Sequence, residues 1–190
     1  MNQAVGDAWN KGLQMAQGEI FGWIGSDDTY QPDAVRIVVD FFQAHPDAYF
    51  VCGDLNHMNG KGELIERYHA QDLVWEELIN DFCAIPTPSA FYRREVIEKI
   101  GKFNRRGNDL EYWIRVARVF KTCRVDQALA NFRAHRDSQT GSPATRGRWK
   151  LEDFLISLRS GGSLFSPRSK RFYNFVGKKL VRRKPSRDKT

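Results

Sequence analysis

Apolar and polar positions along the chain follow two distinct patterns, which predict an alternation of helices and strands. Apolar residues recur at helical spacing within residues 2–17, 32–45 and 109–120, the one-sided pattern of helices that pack against a core. EIFGWIG (19–25) and AYFVCGDL (48–55) are short, nearly uninterrupted apolar runs, typical of strands that are buried on both faces. Strands alternating with helices predict an α/β fold with a sheet at its centre.

Shorter signals complete this prediction. MNGKGELIERY (58–68) has the composition of a hairpin, with Asn59 and Gly60 at its turn. IPTPSAFYRREVIEKIG (85–101) predicts an extended segment stiffened by prolines, which runs into a helix closed by Gly101. The other predicted elements are a strand in TCRVDQALANFRAH (122–135) and helices at 72–80 and 146–160.

Length and composition describe an ordinary globular protein. The chain has 190 residues, of which 41% are hydrophobic and 28% charged, enough for one domain with its own core. Three cysteines without a CxxC pair argue against a disulfide framework or a zinc site, and they favour a reducing cytosol. MNQAVGDAWNKG at the start lacks the features of a signal peptide.

The net charge of +7 is concentrated at one end of the chain. Residues 166–190 carry ten basic and one acidic side chain, so residues 1–165 together carry −2. We therefore predict a domain at 1–165 and a basic amphipathic tail at 166–190, and the domain itself gives no indication of nucleic-acid binding.

The tail allows two interpretations. If it is helical, one face collects its apolar residues: Phe172, Phe175, Val176 and Leu180. Basic residues around such a face are typical of a helix that lies on an anionic membrane surface. A solvated, disordered terminus is the alternative, and the composition does not separate the two.

Two adjacent aspartates, Asp27 and Asp28, follow directly after the first apolar run, in GEIFGWIGSDDTYQPDA (18–34). Hard carboxylate oxygens at a strand end are suitable ligands for a divalent cation. Alternatively, Asp28 or Thr29 caps the helix that Pro32 begins. The local pattern leaves both explanations open.

Five segments, taken in order, resemble family 2 glycosyltransferases of the GT-A fold: DAWNKGLQMAQGEIFGWIGSDDTYQPDA, VCGD, PSAFYRREVIEKIG, NDLEYWIRVAR and LANFRAHRDSQT. The similarity extends from about residue 6 to about residue 155. It implies a GT-A-like mixed sheet flanked by helices. The family's first two βα units, which hold the base and ribose of the donor, have no counterpart, so we expect a partial, N-terminally truncated sandwich.

The resemblance also assigns a cation site. Asp27 matches the last acid of the family's DxD motif, which binds Mg²⁺ or Mn²⁺ on the diphosphate of a nucleotide sugar, and Asp28 matches the acid beside it. Gly25 stands where the motif has its first acid. His135 matches a position that contacts the metal or the diphosphate in some relatives, although a single histidine is more often structural.

The resemblance assigns acceptor-side residues as well. Asp109 matches the general base that ends the family's ED motif, with Asn108 in place of the glutamate. Capping of its own helix is the alternative for Asp109. Trp113 matches an aromatic near the acceptor cleft, but its place in the apolar stripe favours core packing. Arg93, in the segment that resembles the acceptor-side wall, is either a phosphate contact or a residue at a helix start.

These matches together imply a metal-dependent, inverting glycosyltransferase. It would move a sugar from a nucleotide-sugar donor to a glycan or lipid-linked acceptor, in bacterial surface polysaccharide or glycolipid synthesis, in the cytoplasm or peripherally at the inner face of the plasma membrane. The missing donor-binding units suggest the alternative of a non-catalytic remnant or interaction module, and Gly25 and Asn108 also favour it. A Mg²⁺-dependent nucleotidyltransferase fits NDLEYW and FRAHRDSQT poorly.

Overall fold

A computed structural model describes residues 5–71, 74–83, 85–105, 107–135 and 143–182. Within these ranges the helices are α1 (Val5–Met15), α2 (Ala34–Ala44), α3 (Trp75–Asn80), α4 (Arg94–Ile100), α5 (Asp109–Val119), α6 (Pro143–Arg159) and α7 (Pro167–Arg182). The strands are β1 (Ile20–Gly22), β2 (Thr29–Tyr30), β3 (Phe50–Met58), β4 (Leu64–Tyr68), β5 (Ala90–Arg93) and β6 (Thr122–Arg133), and a 3₁₀ turn, Thr87–Ser89, precedes β5.

The strands form one mixed sheet in the order β1-β5-β3-β6-β2, with β4 paired to the second half of β3. β3 and β6 are parallel. β5 is antiparallel to both β1 and β3, so β1 runs in the same direction as β3 and β6. The predicted α/β class with a mixed sheet is therefore confirmed.

Both faces of the sheet are covered at β3. Phe50 and Val51 point to opposite faces, and each is fully buried. Phe50 packs against Trp113 of α5, with ring centroids 5.3 Å apart. Val51 belongs to a second cluster, which includes Val38 of α2. Burial on both faces explains why this stretch of the sequence is an uninterrupted apolar run.

The first apolar run was predicted to form a short strand buried on both faces, and the strand that forms there is shorter and only partly buried. β1 covers only Ile20–Gly22, at the edge of the described sheet, and Ile24 is 41% exposed. Trp23 instead turns towards α1, where its ring centroid lies 5.5 Å from that of Trp9. Trp23 therefore packs against α1 instead of lengthening the strand.

Most of the other predicted elements are confirmed to within a few residues. The first helix is described from Val5, and the start of its predicted range lies outside the described residues. The β3–β4 hairpin turns where expected, but its left-handed residue is Gly62, at φ +87°, rather than Gly60. Gly101, at φ +81°, ends α4 as predicted.

The chain after residue 165 begins as part of the packed domain. Phe172 of α7 stacks on Phe154 of α6, with ring centroids 4.3 Å apart. Arg168 is 8% exposed, and its Nη2 donates to the carbonyl of Leu78, 2.8 Å away. The apolar face expected to be free on this helix is therefore partly used against α6. The side chain of Leu180 and residues 183–190 lie outside the described part of the chain.

None of the helices in the described ranges has the length and apolar character that a membrane crossing requires.

Candidate active site

The carboxyl ends of β1, β3 and β6 lie at the same edge of the sheet, because these three strands run in one direction. The loop 25–28 leaves β1 at this edge, and His135 follows β6 there. The 3₁₀ turn Thr87–Ser89 enters β5 at the same edge, since β5 is antiparallel. In open α/β sheets this edge is where ligands bind.

Asp27 and His135, 108 residues apart in sequence, are in direct contact at this edge. Nε2 of His135 lies 2.8 Å from Oδ2 of Asp27. This hydrogen bond is the main cause that lowers the pKa of Asp27 below its ordinary value. Their side chains are 39% and 34% exposed, respectively, so a ligand in solvent can reach both. The two residues proposed as metal ligands are thus neighbours in space.

The donor set fits a hard divalent cation that shares its coordination with a substrate. Within the described residues no group of three or more His, Cys, Asp or Glu side chains could hold a metal ion. Mg²⁺ is commonly held by only one or two carboxylates, with water and substrate phosphates as its other ligands. Asp27 supplies one such carboxylate, so a complete protein cage is not needed for a cation that is also bound by a substrate diphosphate.

Asp28 has surroundings that differ from those of its neighbour. Its Oδ1 accepts the backbone N–H of Arg133 at 2.9 Å. Burial is the main cause that raises its pKa above the ordinary value, and the charge of Asp27 adds to this. The N-cap position of α2 is Asp33, so helix capping does not account for Asp28. The described contact of Asp28 fixes the loop to the end of β6.

The carboxylates of both aspartates lie close to Gly25. A Cβ atom at this position would lie 2.7 Å from Oδ2 of Asp28 and 2.9 Å from Oδ1 of Asp27. A side chain at this position would therefore require at least one of these two flexible carboxylates to move. The glycine in place of the motif's first acid is compatible with the positions of both carboxylates.

Arg133 is a residue of this site that sequence reasoning missed. Its Nε donates to the carbonyl of Asp27 at 3.1 Å, and its Nη1 donates to the carbonyl of Gly60 at 3.3 Å. It therefore joins the end of β6 to the aspartate loop and to the β3–β4 turn. Its position two residues before His135 was the available signal, because alternate residues of a strand share one face.

Asp109 is the first residue of α5, but it is not the residue that caps the helix. Oδ1 of Asn108 accepts the N–H of Glu111 at 3.3 Å, so Asn108 is the N-cap. Asp109 is partly exposed. Its Oδ1 accepts the N–H of Leu110 at 2.9 Å, and its Oδ2 accepts the hydroxyl of Thr87 at 2.8 Å. Its carboxylate is thereby held at the same edge as the Asp27 loop.

Two other candidate substrate contacts lie elsewhere. Trp113 of α5 is fully buried in the core. Core packing, the alternative considered for this residue, is therefore its role in the fold. Arg93 ends β5 at the opposite edge of the sheet, where it donates to the carbonyls of Ala48 and Phe42, each at 2.8 Å. These contacts hold α2 to the sheet. The structure therefore brings together Asp27, Asp28 and His135, with Asp109 at the same edge, and it leaves Arg93 and Trp113 out.

Comparison with known proteins identifies the family of this chain. Residues 1–101 match the model of Glycosyl transferase family 2. An uncharacterized glycosyltransferase from Nostoc sp. is 31% identical over 107 residues, which are 52% of this chain and 33% of that protein. Another from Rickettsia typhi is 25% identical over 169 residues, which are 80% of this chain and 50% of that protein. The chain thus spans a third to a half of these relatives.

Solved structures show the same fold. S. aureus TarS 1–349 in complex with UDP-GlcNAc aligns with a TM-score of 0.58 and 12% identity, over 94% of this chain and 54% of that one. Without this ligand, TarS 1–349 aligns with a TM-score of 0.54 and 14% identity, over 80% of this chain and 44% of that one. The chain has part of a GT-A fold and belongs to glycosyl transferase family 2.

Proposed function

We propose that this domain transfers a sugar, with inversion, from a nucleotide-sugar donor to a hydroxyl group of a glycan or lipid-linked acceptor. The observation that carries the proposal is the contact between Asp27 and His135, 2.8 Å apart at the carboxyl edge of the sheet. The similar TarS structures include complexes with UDP-GlcNAc and with UDP, which supports a uridine nucleotide as the first donor to test.

Asp27 would hold Mg²⁺ or Mn²⁺ against the donor diphosphate. For His135 to join it as a ligand, its Nε2 would lose its proton and give up the hydrogen bond to Asp27. When bound, such a cation neutralises the negative charge that the departing nucleoside diphosphate gathers. The guanidinium of Arg133, bonded to the carbonyl of Asp27, adds positive charge beside the same loop. The role of Asp28 in this proposal is to hold the loop through its bond to the backbone of Arg133.

Asp109 would act as the general base. Its carboxylate is partly exposed at the same edge, and Asn108 supplies the helix cap in its place. It can therefore accept the proton of the acceptor hydroxyl as that oxygen attacks the sugar. The new bond forms on the face of the sugar opposite the departing diphosphate, which gives inversion.

The alternative is a non-catalytic interaction module. Gly25 and Asn108, which stand in place of two motif acids, were one reason for considering it. The structure gives both residues local roles, since Gly25 lies under two carboxylates and Asn108 caps α5. Neither replacement removes Asp27 or Asp109, so we favour catalysis, in surface polysaccharide or glycolipid synthesis at the inner face of the plasma membrane.

The cation site can be tested without any donor. Titration of ¹⁵N-labelled protein with MnCl₂ should broaden the amide resonances of residues 25–28 and 134–135 first. Asp27→Asn should weaken the effect at least about tenfold, because even changes of groups that only support a ligand cost about 10- to 100-fold in metal affinity. Asp40→Asn, an exposed change on α2, is the control. Equal broadening in Asp27→Asn and in the wild type would contradict the site.

Asp28→Asn should raise the thermal unfolding midpoint at pH 7 in metal-free buffer. The raised pKa of Asp28 means that the fold penalises its charged form, and this destabilisation is present above the folded pKa. It fades as the pH falls through that value towards 3.8, the ordinary value. The gain should therefore disappear once the pH is below about 3.8. A lower midpoint for Asp28→Asn at pH 7 would contradict this assignment.

Asp109→Asn tests the proposed reaction. In a form of the protein that is active with Mn²⁺ and UDP-GlcNAc, release of UDP should fall about 10²- to 10⁴-fold, the usual effect of removing a general base. The free energy of unfolding should change by less than about 1 kcal/mol, because Asn108 retains the helix cap. Asp40→Asn again serves as the control variant.

Two results would count against this proposal. Undiminished UDP release by Asp109→Asn would remove the assigned base. In a form of the protein that includes the donor-binding units, failure to bind or consume UDP-, GDP- or dTDP-sugars would favour the interaction module instead.

We also propose that the turn between α6 and α7 contacts an anionic membrane surface. Phe165 is 84% exposed and Leu164 is 52% exposed, and the exposed Lys170 follows them on α7. Residues 166–190 carry a net +9. Exposed apolar side chains next to basic ones are typical of binding to anionic lipid. The sequence predicted that the helix face of Phe172 would contact the membrane. Because Phe172 packs on α6, we propose the turn as the contact instead.

Vesicle sedimentation can test this contact. The protein should bind vesicles that contain phosphatidylglycerol and should bind phosphatidylcholine vesicles much less. Leu164→Ser with Phe165→Ser should weaken binding about tenfold or more, because burial of one large apolar side chain contributes about 1.5–3 kcal/mol. Leu64→Ser, an exposed change on β4, should have no effect. Equal binding by the double variant would rule out this turn.

A further inference from the structure

Thr87 lies between the proposed base and the core. Its hydroxyl is 2.8 Å from Oδ2 of Asp109 and 3.1 Å from Nε1 of Trp113. Trp113 is fully buried, whereas Asp109 is partly exposed at the carboxyl edge of the sheet. A single hydroxyl thus connects a rigid core side chain to a carboxylate that solvent can reach.

The direction of the two hydrogen bonds follows from the chemistry of the groups. The indole nitrogen of Trp113 can only donate, so the oxygen of Thr87 must accept from it. The hydroxyl has one hydrogen, and the carboxylate of Asp109 can accept it. The second bond is thereby directed from Thr87 to Asp109, and it is a charge-assisted bond of the stronger kind.

The backbone around Thr87 is also constrained. Pro86 and Pro88 lie on either side of it, and a proline restricts both its own backbone and that of the residue before it. The hydroxyl of Ser89 donates to the carbonyl of Gly53 at 2.7 Å, which ties the turn to β3. The branched side chain of threonine has few χ1 choices, so its hydroxyl has a fixed place.

We infer that Thr87 is a positioning residue for Asp109, and that Trp113 in turn orients Thr87. One carboxylate oxygen of Asp109 is held by Thr87 and the other by the N–H of Leu110. The plane of the carboxylate is therefore fixed from two sides, and its unused lone pairs point in a set direction. The inference rests on the proposed role of Asp109 as base.

The hydrogen bond itself can be tested without activity. In ¹H–¹⁵N spectra of the chain, Thr87→Val should move the indole N–H resonance of Trp113 upfield, because valine has the shape of threonine but no acceptor. Thr87→Ser keeps the hydroxyl and should leave this resonance close to its wild-type position. An unchanged resonance in Thr87→Val would overturn the proposed link to Trp113.

The positioning role needs a kinetic measurement with Mn²⁺ and UDP-GlcNAc. Thr87→Val should lower kcat by up to about 10²-fold, while KM stays within about twofold, because a misplaced catalytic group affects mainly the transition state. Thr87→Ser should retain most of the activity. In the Asp109→Asn variant, adding Thr87→Val should lower kcat little further, because the carboxylate that Thr87 positions is absent.

Each contrary result has a separate meaning. Wild-type kcat in Thr87→Val, when Asp109→Asn is inactive, would overturn the role of Thr87 and leave the proposed base intact. Equal losses in Thr87→Ser and Thr87→Val would show that the hydroxyl is not the relevant group. Full activity in Asp109→Asn would instead refute the base assignment on which this inference depends.

Discussion

The parallel pairing of β3 with β6 is the constraint on which the site depends. It extends from Phe50 opposite Thr122 to Met58 opposite Arg133, and it carries the chain after β6 to the edge where the loop after β1 emerges. The strands differ in length, and their register shifts at Gly53 and Asp54. A Cβ on Gly53 would lie 2.6 Å from the carbonyl oxygen of Gln127, so only glycine allows β6 to approach at this irregularity.

This pairing also explains how two adjacent carboxylates can share one loop. Asp27 turns to the imidazole of His135, whereas Asp28 turns to the backbone N–H of Arg133. Both partners come from the end of β6, so the same strand separates the two like charges. One pKa is lowered by a hydrogen bond and the other is raised by burial. The accessible member of the pair is thus kept ionised, as a metal ligand must be.

The sequence predicted what depends on local pattern or on the order of motifs. Periodicity located α2 and α5, and the resemblance selected Asp27, His135 and Asp109. The sequence could not show that Arg93 lies at the far edge of the sheet, because its position depends on the direction of β5. The sequence also did not indicate that Thr87 contacts Asp109 and Trp113. Its partners are 22 and 26 residues away, and a threonine between prolines has no distinctive local pattern.

Asn108 connects the proposed base to the C-terminal helices. Its Nδ2 donates to Oδ1 of Asp153 on α6 at 3.2 Å, and Oδ2 of Asp153 lies 4.0 Å from Nη1 of Arg168 on α7. Burial raises the pKa of Asp153 and lowers that of Arg168, so neither charge is easily kept without the other. An asparagine that both caps α5 and donates to Asp153 does what a glutamate could not, because an ionised carboxylate only accepts. Asn108, in place of the motif's glutamate, therefore links α5, the helix of Asp109, to Asp153 of α6 and through it to Arg168 of α7.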